Sequence, residues 1–296
     1  MGRVAVIGGG LMGVGIAEVF AVAGHRVDVF EPVEPLRATV QRRAADHLQT
    51  IGRDASAAAL IDTPADLATT VAHAEFVTEA APEKLALKRE IFAALVRHAP
   101  RTAILASNSS VIPITRIAED LETAERIVGT HWWNPAPLIP LVEVVQGEHT
   151  SQSTITATMS LLRAIGKRPA HVKKDIPGFV ANRLQHALWR EAIAMVAAGV
   201  CDAATLDECV KSSFGLRLPV LGPLENADLV GLDLTLDIHR TIIPELDRHA
   251  GPHEFLQAKV DAGLLGFKSG TGFRDWTEAE MQSLRERLTR HLLAAQ

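Results

Sequence analysis

The feature that most constrains this chain is a short apolar run at its start that leads straight into glycines. Val4-Ala5-Val6-Ile7 is followed at once by Gly8-Gly9-Gly10-Leu11-Met12-Gly13, and then by an Ala-rich helical pattern through about Ala23. A second apolar run, Arg26 to Phe30, ends in Glu31. Strand, glycine turn, helix, strand and acid in this order make a dinucleotide-binding βαβ unit. Each position has its own reason. Gly8 allows the tight turn off the strand, Gly10 leaves room for a pyrophosphate against the backbone, and Gly13 lets the helix pack close to the sheet. Leu11 and Met12 open the helix, whose free N–H groups and positive dipole end suit phosphate. A carboxylate at Glu31 accepts hydrogen bonds from ribose hydroxyls and repels a 2′-phosphate, so the expected cofactor is NAD rather than NADP.

The pattern continues beyond this unit. Leu36 to Ile51 has helical spacing, Glu75 to Thr78 reads as a strand, and Glu83 to Ala99 as a charged helix. Ala103 to Ala106, the residues from Val128, Leu141 to Val145, and Arg168 to Val172 read as further strands, with a helix over Thr154 to Ile165. This alternation predicts an α/β doubly wound sheet over residues 1–175. After Asp175-Ile176-Pro177-Gly178 only helical spacing remains: Phe179 to Ala198, Ala203 to Ser212, Leu229 to Leu246, Glu254 to Ala262 and Glu278 to Leu293. Residues 176–296 are therefore expected to form a smaller all-helical domain.

Composition closes off other classes. The formal net charge is −5, which gives no reason to expect nucleic acid or an anionic membrane as partner. No apolar run is long enough to span a bilayer, and no signal peptide is expected ahead of the first strand. Cys201 and Cys209 are the only cysteines, which excludes a disulfide framework and a CxxC metal or redox pair and fits a reducing cytoplasm. No metal site is expected.

Two polar residues interrupt the apolar pattern. His131 lies between a strand and Asn134-Pro135, and Glu143 breaks the run Leu141 to Val145. A carboxylate in such a strand either faces solvent or pairs in the interior, and pairing with His131 is the expectation. A neutral imidazole can take a proton from an alcohol, and a carboxylate on its other nitrogen fixes the tautomer and stabilises the imidazolium.

These residues sit in blocks that resemble the 3-hydroxyacyl-CoA dehydrogenase family across nearly the whole chain. The blocks are Gly8-x-Gly10-x-x-Gly13, Glu79-Ala80-Ala81-Pro82-Glu83 with Lys88, Ala106-Ser107-Asn108-Ser109-Ser110, Gly129-Thr130-His131-Trp132-Trp133-Asn134-Pro135, and Leu141 to Val145. They continue with Asp175 to Arg183, Gly222-Pro223, Gly231-Leu232-Asp233 and Gly266 to Phe273. The resemblance implies an NAD-dependent dehydrogenase with His131 as acid/base and Glu143 orienting it. It also implies that Ser110 and Asn182 hold the reacting oxygens, and that Glu83, Lys88, Asn108 and Asn134 line the nicotinamide half of the cofactor site. A homodimer through the helical domain is implied as well.

Three departures bear on the substrate. The segment between Glu31 and Glu79 is shorter than in acyl-CoA members, which carry there a helical arm that contacts CoA. Trp132-Trp133 replaces a usual Phe-Phe and reshapes the pocket. The stretch Phe214 to Pro223 is longer than the usual turn and resembles relatives acting on free small acids, the carnitine dehydrogenase and pyridine-carboxylate dehydrogenase types. Arg217 in that stretch could bind a substrate carboxylate bidentately, a group no CoA thioester offers. The expected reaction is oxidation of a 3-hydroxyacyl-CoA, and the alternative is a small non-CoA hydroxy acid or an aromatic alcohol or aldehyde acid. Two readings outside catalysis or redox chemistry are a nucleotide-binding scaffold, for which the set His131, Glu143, Ser110 and Asn182 is unneeded, and acyl transfer by Ser110, which lacks a Gly-x-Ser-x-Gly elbow.

Overall fold

The alternation along the first strand decides how the chain layers. In β1 (Arg3–Ile7), Val4 and Val6 enter one apolar core while Ala5 and Ile7 enter another on the opposite face. Both faces of the sheet are therefore covered, as a parallel sheet requires. The computed structural model, which describes residues 2–295, continues this strand into α1 (Leu11–Val22) and β2 (Arg26–Phe30). The further strands are β3 (Ile61–Asp62), β4 (Phe76–Glu79), β5 (Ile104–Ser107), β6 (Ile127–Trp132), β7 (Leu141–Val145) and β8 (Arg168–Val172). The sheet order is β3-β2-β1-β4-β5-β6-β7-β8. Strands β1 to β6 run parallel, whereas β7 is antiparallel to β6 and β8 parallel to β7. The order reverses between β1 and β4, so a crevice opens beyond the C-terminal ends of these two strands, where such sheets bind ligands.

Packing divides the chain into one unit of Met1–Asn182 with Thr289–Gln296 and a second of Arg183–Leu288. By packing, the first unit runs past Asp175 to Asn182, and there is a physical reason for it. Phe179 is 1% exposed in the second core of the sheet, and the backbone of Val180 and Ala181 bonds to Glu143 of β7. At the other end, Leu292 packs against Leu48, Ile51 and Leu138 of the first unit.

Local chemistry moved several element ends. The helix expected over residues 36–51 forms as two pieces, Glu34–Arg37 and Val40–Thr50, and the second buries Val40, Ala44 and Leu48. The helix expected over 229–246 is cut at Gly231, whose φ of +105° no α-helix accommodates, leaving Pro223–Val230 and Leu232–Ile242. Beside its helices the second unit has two isolated antiparallel bridges, Gly266 with Thr271 and Thr271 with Asp275.

Lys167 pins the segment that follows β6. Its Nζ donates to the carbonyls of Ala136 (2.5 Å) and Ile139 (3.0 Å) and lies 5.6 Å from the ring centre of Trp132. Burial, with a smaller push from Arg53, lowers its pKa to about 8. Among the described residues no helix is long and apolar enough to cross a membrane.

Candidate active site

The three glycines of the first turn differ in what the protein itself demands of them. Gly8 has φ +112°, and a Cβ there would come within 2.8 Å of the Ala80 carbonyl oxygen. A Cβ at Gly13 would sit 1.8 Å from the oxygen of Gly8. Both must be glycine for the turn and the helix to pack. At Gly10 a Cβ would meet nothing within 4 Å, so this glycine leaves open space rather than avoiding a clash inside the protein. Gly10 also caps α1 without a side-chain bond, and the first turn carries no acid. Leu11, at the helix start, is 72% exposed, and Met12 is half-buried against the first core. An uncapped helix start beside free space is what a pyrophosphate needs. Glu31, at the end of β2, sends Oε2 to the N–H of Gly9 (2.9 Å), so it stands at the same turn.

Strands β6 and β7 carry the titratable pair. β6 and β7 are antiparallel with His131 directly across from Glu143. The His131 Nδ1–H donates to Glu143 Oε2 at 2.7 Å, and both side chains are at most 5% exposed. This bond leaves Nε2 for a ligand. The other oxygen of Glu143 accepts N–H groups from Val180 (2.9 Å) and Ala181 (3.0 Å) at the start of the helix Ala181–Ala197. Phe179 makes that possible. It adopts φ +49°, a left-handed conformation costly for a side chain, and turns the next two N–H groups onto the carboxylate. Its ring lies 5.6 Å from that of His131, with Trp133 5.2 Å away.

Burial pushes the Glu143 carboxyl up, but the bonds from His131, Ala181 and Val180 outweigh it, and the net shift is down. A carboxyl with a lowered folded pKa stabilises the protein fully above its unfolded value. That stabilisation is lost as pH falls through the lower folded value. Glu143→Gln is therefore expected to flatten the acid limb of the stability curve below about pH 4.5, measured as thermal midpoint against pH. A limb of the same slope in the variant would contradict this.

A second network lies beneath the crevice. Lys88, 1% exposed, donates Nζ to both oxygens of Glu79 (2.7 and 2.9 Å) and lies 3.3 Å from Glu83 Oε2. Glu79 also accepts the Ser107 hydroxyl (2.7 Å) and the Ala81 N–H (2.7 Å). Glu83 gathers the loop after β5, accepting N–H groups of Ser110 (3.1 Å), Val111 (3.1 Å) and Ile112 (3.3 Å) and the hydroxyl of Ser109. Burial raises its pKa, and the Ser109 hydroxyl, Lys88 and these N–H groups bring it below the ordinary value. Asn182 Nδ2 donates to the Ser110 carbonyl at 3.2 Å, and Asn108 Oδ1 accepts the Trp132 N–H at 2.9 Å. Asn134 is exposed at the mouth of the next segment.

The sequence-derived residues thus divide. Ser110, Asn182, Glu83, Asn108, His131 and Glu143 converge within the first unit. Lys88 is not at a surface a cofactor could touch, and it bears on the crevice through Glu83. Trp132 must be corrected: it is 2% exposed, in the core against Phe20 (6.0 Å between ring centres), so it does not line a substrate pocket. Strand alternation explains this, since His131 and Trp132 are neighbours on β6 and face opposite sides of it. Arg217 belongs to the second unit. There it borders a cavity of about 200 Å³ with Phe214, Leu218, Leu221, Pro223 and Asn226. Sequence reasoning did not single out Glu79 or Phe179. The signal for Glu79 was a charge closing a buried strand with a lysine downstream. Among the described residues no cluster of His, Cys, Asp and Glu could hold a metal ion.

A glycine turn at a sheet crevice and a buried His–Glu pair on the same sheet point to a nicotinamide-dependent dehydrogenase. The chain belongs to the 3-hydroxyacyl-CoA dehydrogenase family: residues 3–176 match its NAD binding domain and residues 178–276 its C-terminal domain. It is 37% identical to a probable 3-hydroxybutyryl-CoA dehydrogenase of Bacillus subtilis, over 93% of this chain and 98% of that one. A solved structure of 5-formyl-3-hydroxy-2-methylpyridine 4-carboxylic acid 5-dehydrogenase, described as an NAD+ dependent dismutase, superposes with a TM-score of 0.90 at 32% identity, covering 99% of this chain and 97% of that one. The structure of (S)-3-hydroxybutyryl-CoA dehydrogenase from Ralstonia eutropha gives a TM-score of 0.77 at the same 32% identity, covering 93% and 99%. The chain is an NAD-dependent oxidoreductase of this family.

Proposed function

We propose that this enzyme oxidises and reduces a small free acid bearing an alcohol, ketone or aldehyde carbon, and that a CoA thioester is the second-best substrate class. The observation that carries this reading is the TM-score of 0.90 over 99% of the chain to a pyridine-carboxylate dehydrogenase, against 0.77 to a CoA enzyme at equal identity. Two local features support it. The helix Val40–Thr50 buries its apolar face in the first unit, and no long helical arm stands between Glu31 and β4. Arg217, in the lengthened stretch, carries a guanidinium of the kind that binds a carboxylate bidentately.

Held at the turn of Gly8, Gly10 and Gly13 with Glu31, NAD would supply the hydride acceptor or donor. In the oxidising direction His131 Nε2 takes the hydroxyl proton, and Glu143 stabilises the imidazolium through Nδ1. In the reducing direction the same proton returns to the new alcohol oxygen. Ser110 and Asn182 hold the reacting oxygen by hydrogen bonds that strengthen as it gains charge. NADH oxidation with acetoacetyl-CoA beside a panel of free keto acids and aromatic aldehyde acids tests the substrate class. Turnover confined to free acids is expected, with Arg217→Ala raising their KM about tenfold or more, as loss of a charged hydrogen bond does. Fast thioester turnover with inert free acids would return the assignment to a 3-hydroxyacyl-CoA.

The enzyme is also proposed to be a homodimer through its helical unit. No residue from 181 to 295 is buried in the single chain, and Val220, Leu224 and Leu229 are 80%, 79% and 71% exposed. Helices without one fully buried residue have little apolar contact to set against their conformational entropy, and a second copy of the same surface supplies more. Sedimentation equilibrium should give twice the chain mass. A monomer at micromolar concentration would contradict the proposal. Cys201 and Cys209 are unpaired, which supports a reducing, cytoplasmic setting.

A further inference from the structure

Four groups meet where β2 ends. Glu31, 8% exposed, accepts the Gly9 N–H at Oε2 (2.9 Å) and the Val33 N–H at Oε1 (3.0 Å). Arg37 donates Nη1 to the carbonyl of Glu31 (3.0 Å), and Arg43 donates Nη1 to the carbonyl of Gly9 (2.9 Å). A Cβ built on Gly9 would lie 3.0 Å from both Glu31 Cβ and Val40 Cγ2, so the turn and the strand end are in direct contact. The Glu31 carboxylate is thus an internal anion. Two backbone N–H groups hold it, and two guanidinium groups are fastened to the backbone of Glu31 and Gly9 themselves.

Neither arginine forms an ion pair with that carboxylate. Both reach carbonyls instead. Two backbone N–H donors with two guanidiniums close by form the donor set that recognises a phosphate. The carboxylate supplies the negative charge the set is built for, at the place where an NAD-selective enzyme must refuse one.

We propose that Glu31 fills a ready-made phosphate site, and that Arg37 and Arg43 bind the 2′-phosphate of NADP once this carboxylate is removed. The inference rests on the reading that Glu31 faces the adenosine ribose. It makes Glu31 the element that refuses NADP, and the two arginines latent anchors for it. A surface without them would lose NAD on removal of the acid and gain nothing.

The test is fluorescence titration of the purified full chain with NADH and NADPH, which reads binding without turnover. The parent should bind NADH and hold NADPH about 10²-fold more weakly. Glu31→Ser should tighten NADPH about 10²-fold and weaken NADH about tenfold, the scale of one or two charged hydrogen bonds. Adding Arg37→Gln and Arg43→Gln to Glu31→Ser should abolish the NADPH gain and leave NADH at the Glu31→Ser level. The gain should also shrink as salt is raised. A Glu31→Ser protein that loses NADH affinity without gaining NADPH overturns the proposal, as does a gain that survives both arginine substitutions. If the parent binds no NADH, it is the cofactor reading that fails. If Glu31→Ser does not fold, the two arginine substitutions are made in the parent. NADPH should then weaken about tenfold at unchanged NADH affinity, and equal NADPH binding overturns the inference.

Discussion

Replacing His131 with glutamine lowers kcat by about 10³-fold and leaves NADH affinity unchanged. The expectation follows from the separate places of the two functions. The cofactor turn is built by Gly8, Gly10, Gly13 and Glu31, whereas His131 stands on β6 with its Nδ1 committed to Glu143. Glutamine is the informative choice because its amide can still donate to Glu143, so the buried carboxylate keeps a partner. What glutamine cannot do is exchange a proton near neutral pH. An alanine at the same site would leave Glu143 only the Val180 and Ala181 N–H groups and would mix a folding defect with the chemical one. Measuring kcat, the NADH dissociation constant and the thermal midpoint together separates these effects. A His131→Gln enzyme with kcat within tenfold of the parent would remove the imidazole from the chemistry.

The second large effect is on stability. Lys88→Met should destabilise the protein by about 3–5 kcal/mol, because it strands a carboxylate in the interior. Glu79 is fully buried, and the ammonium of Lys88 bridges both its oxygens. Without it Glu79 retains only the Ser107 hydroxyl and the Ala81 N–H. Methionine matches the shape of the lysine stem, so the loss reports on charge rather than on a cavity. A second substitution, Glu79→Gln, should recover part of the loss in the double variant, since the uncompensated charge is then gone. Denaturant unfolding of the parent, the two single variants and the double variant gives the coupling. A single variant as stable as the parent would mean that the ion pair contributes nothing. Glu83 connects this network to the loop carrying Ser110, so NADH affinity should also fall in Lys88→Met.

How much of this was legible in the sequence depends on what each residue needs. The glycine turn was readable because the backbone demands glycine at Gly8 and Gly13. The His131–Glu143 pair was readable because a charge in an apolar strand must find a partner, and an antiparallel neighbour places one directly opposite. What escaped depends on neighbours distant in the chain. Trp132 and Trp133 look alike in sequence, yet the pleat of β6 sends one into the core and the other beside His131. Phe179 gave no sign of its left-handed backbone, which is set by the demand of Glu143 for two N–H groups. The break at Gly231 and the two-residue strand β3 lie below the reach of periodicity. The helical unit showed its apolar stripes plainly, but a stripe does not say whether its own chain or a second copy covers it.

The most direct test of the central claim uses NADH deuterated at the transferable C4 position, mixed with the free acid that the substrate panel selects. The parent enzyme should deliver one deuterium to the carbinol carbon of the product, seen by mass spectrometry, while His131→Gln, binding NADH equally well, should deliver essentially none in the same time. Label found in water, or product deuterated equally fast by the variant, would contradict a hydride transfer assisted by His131 and Glu143.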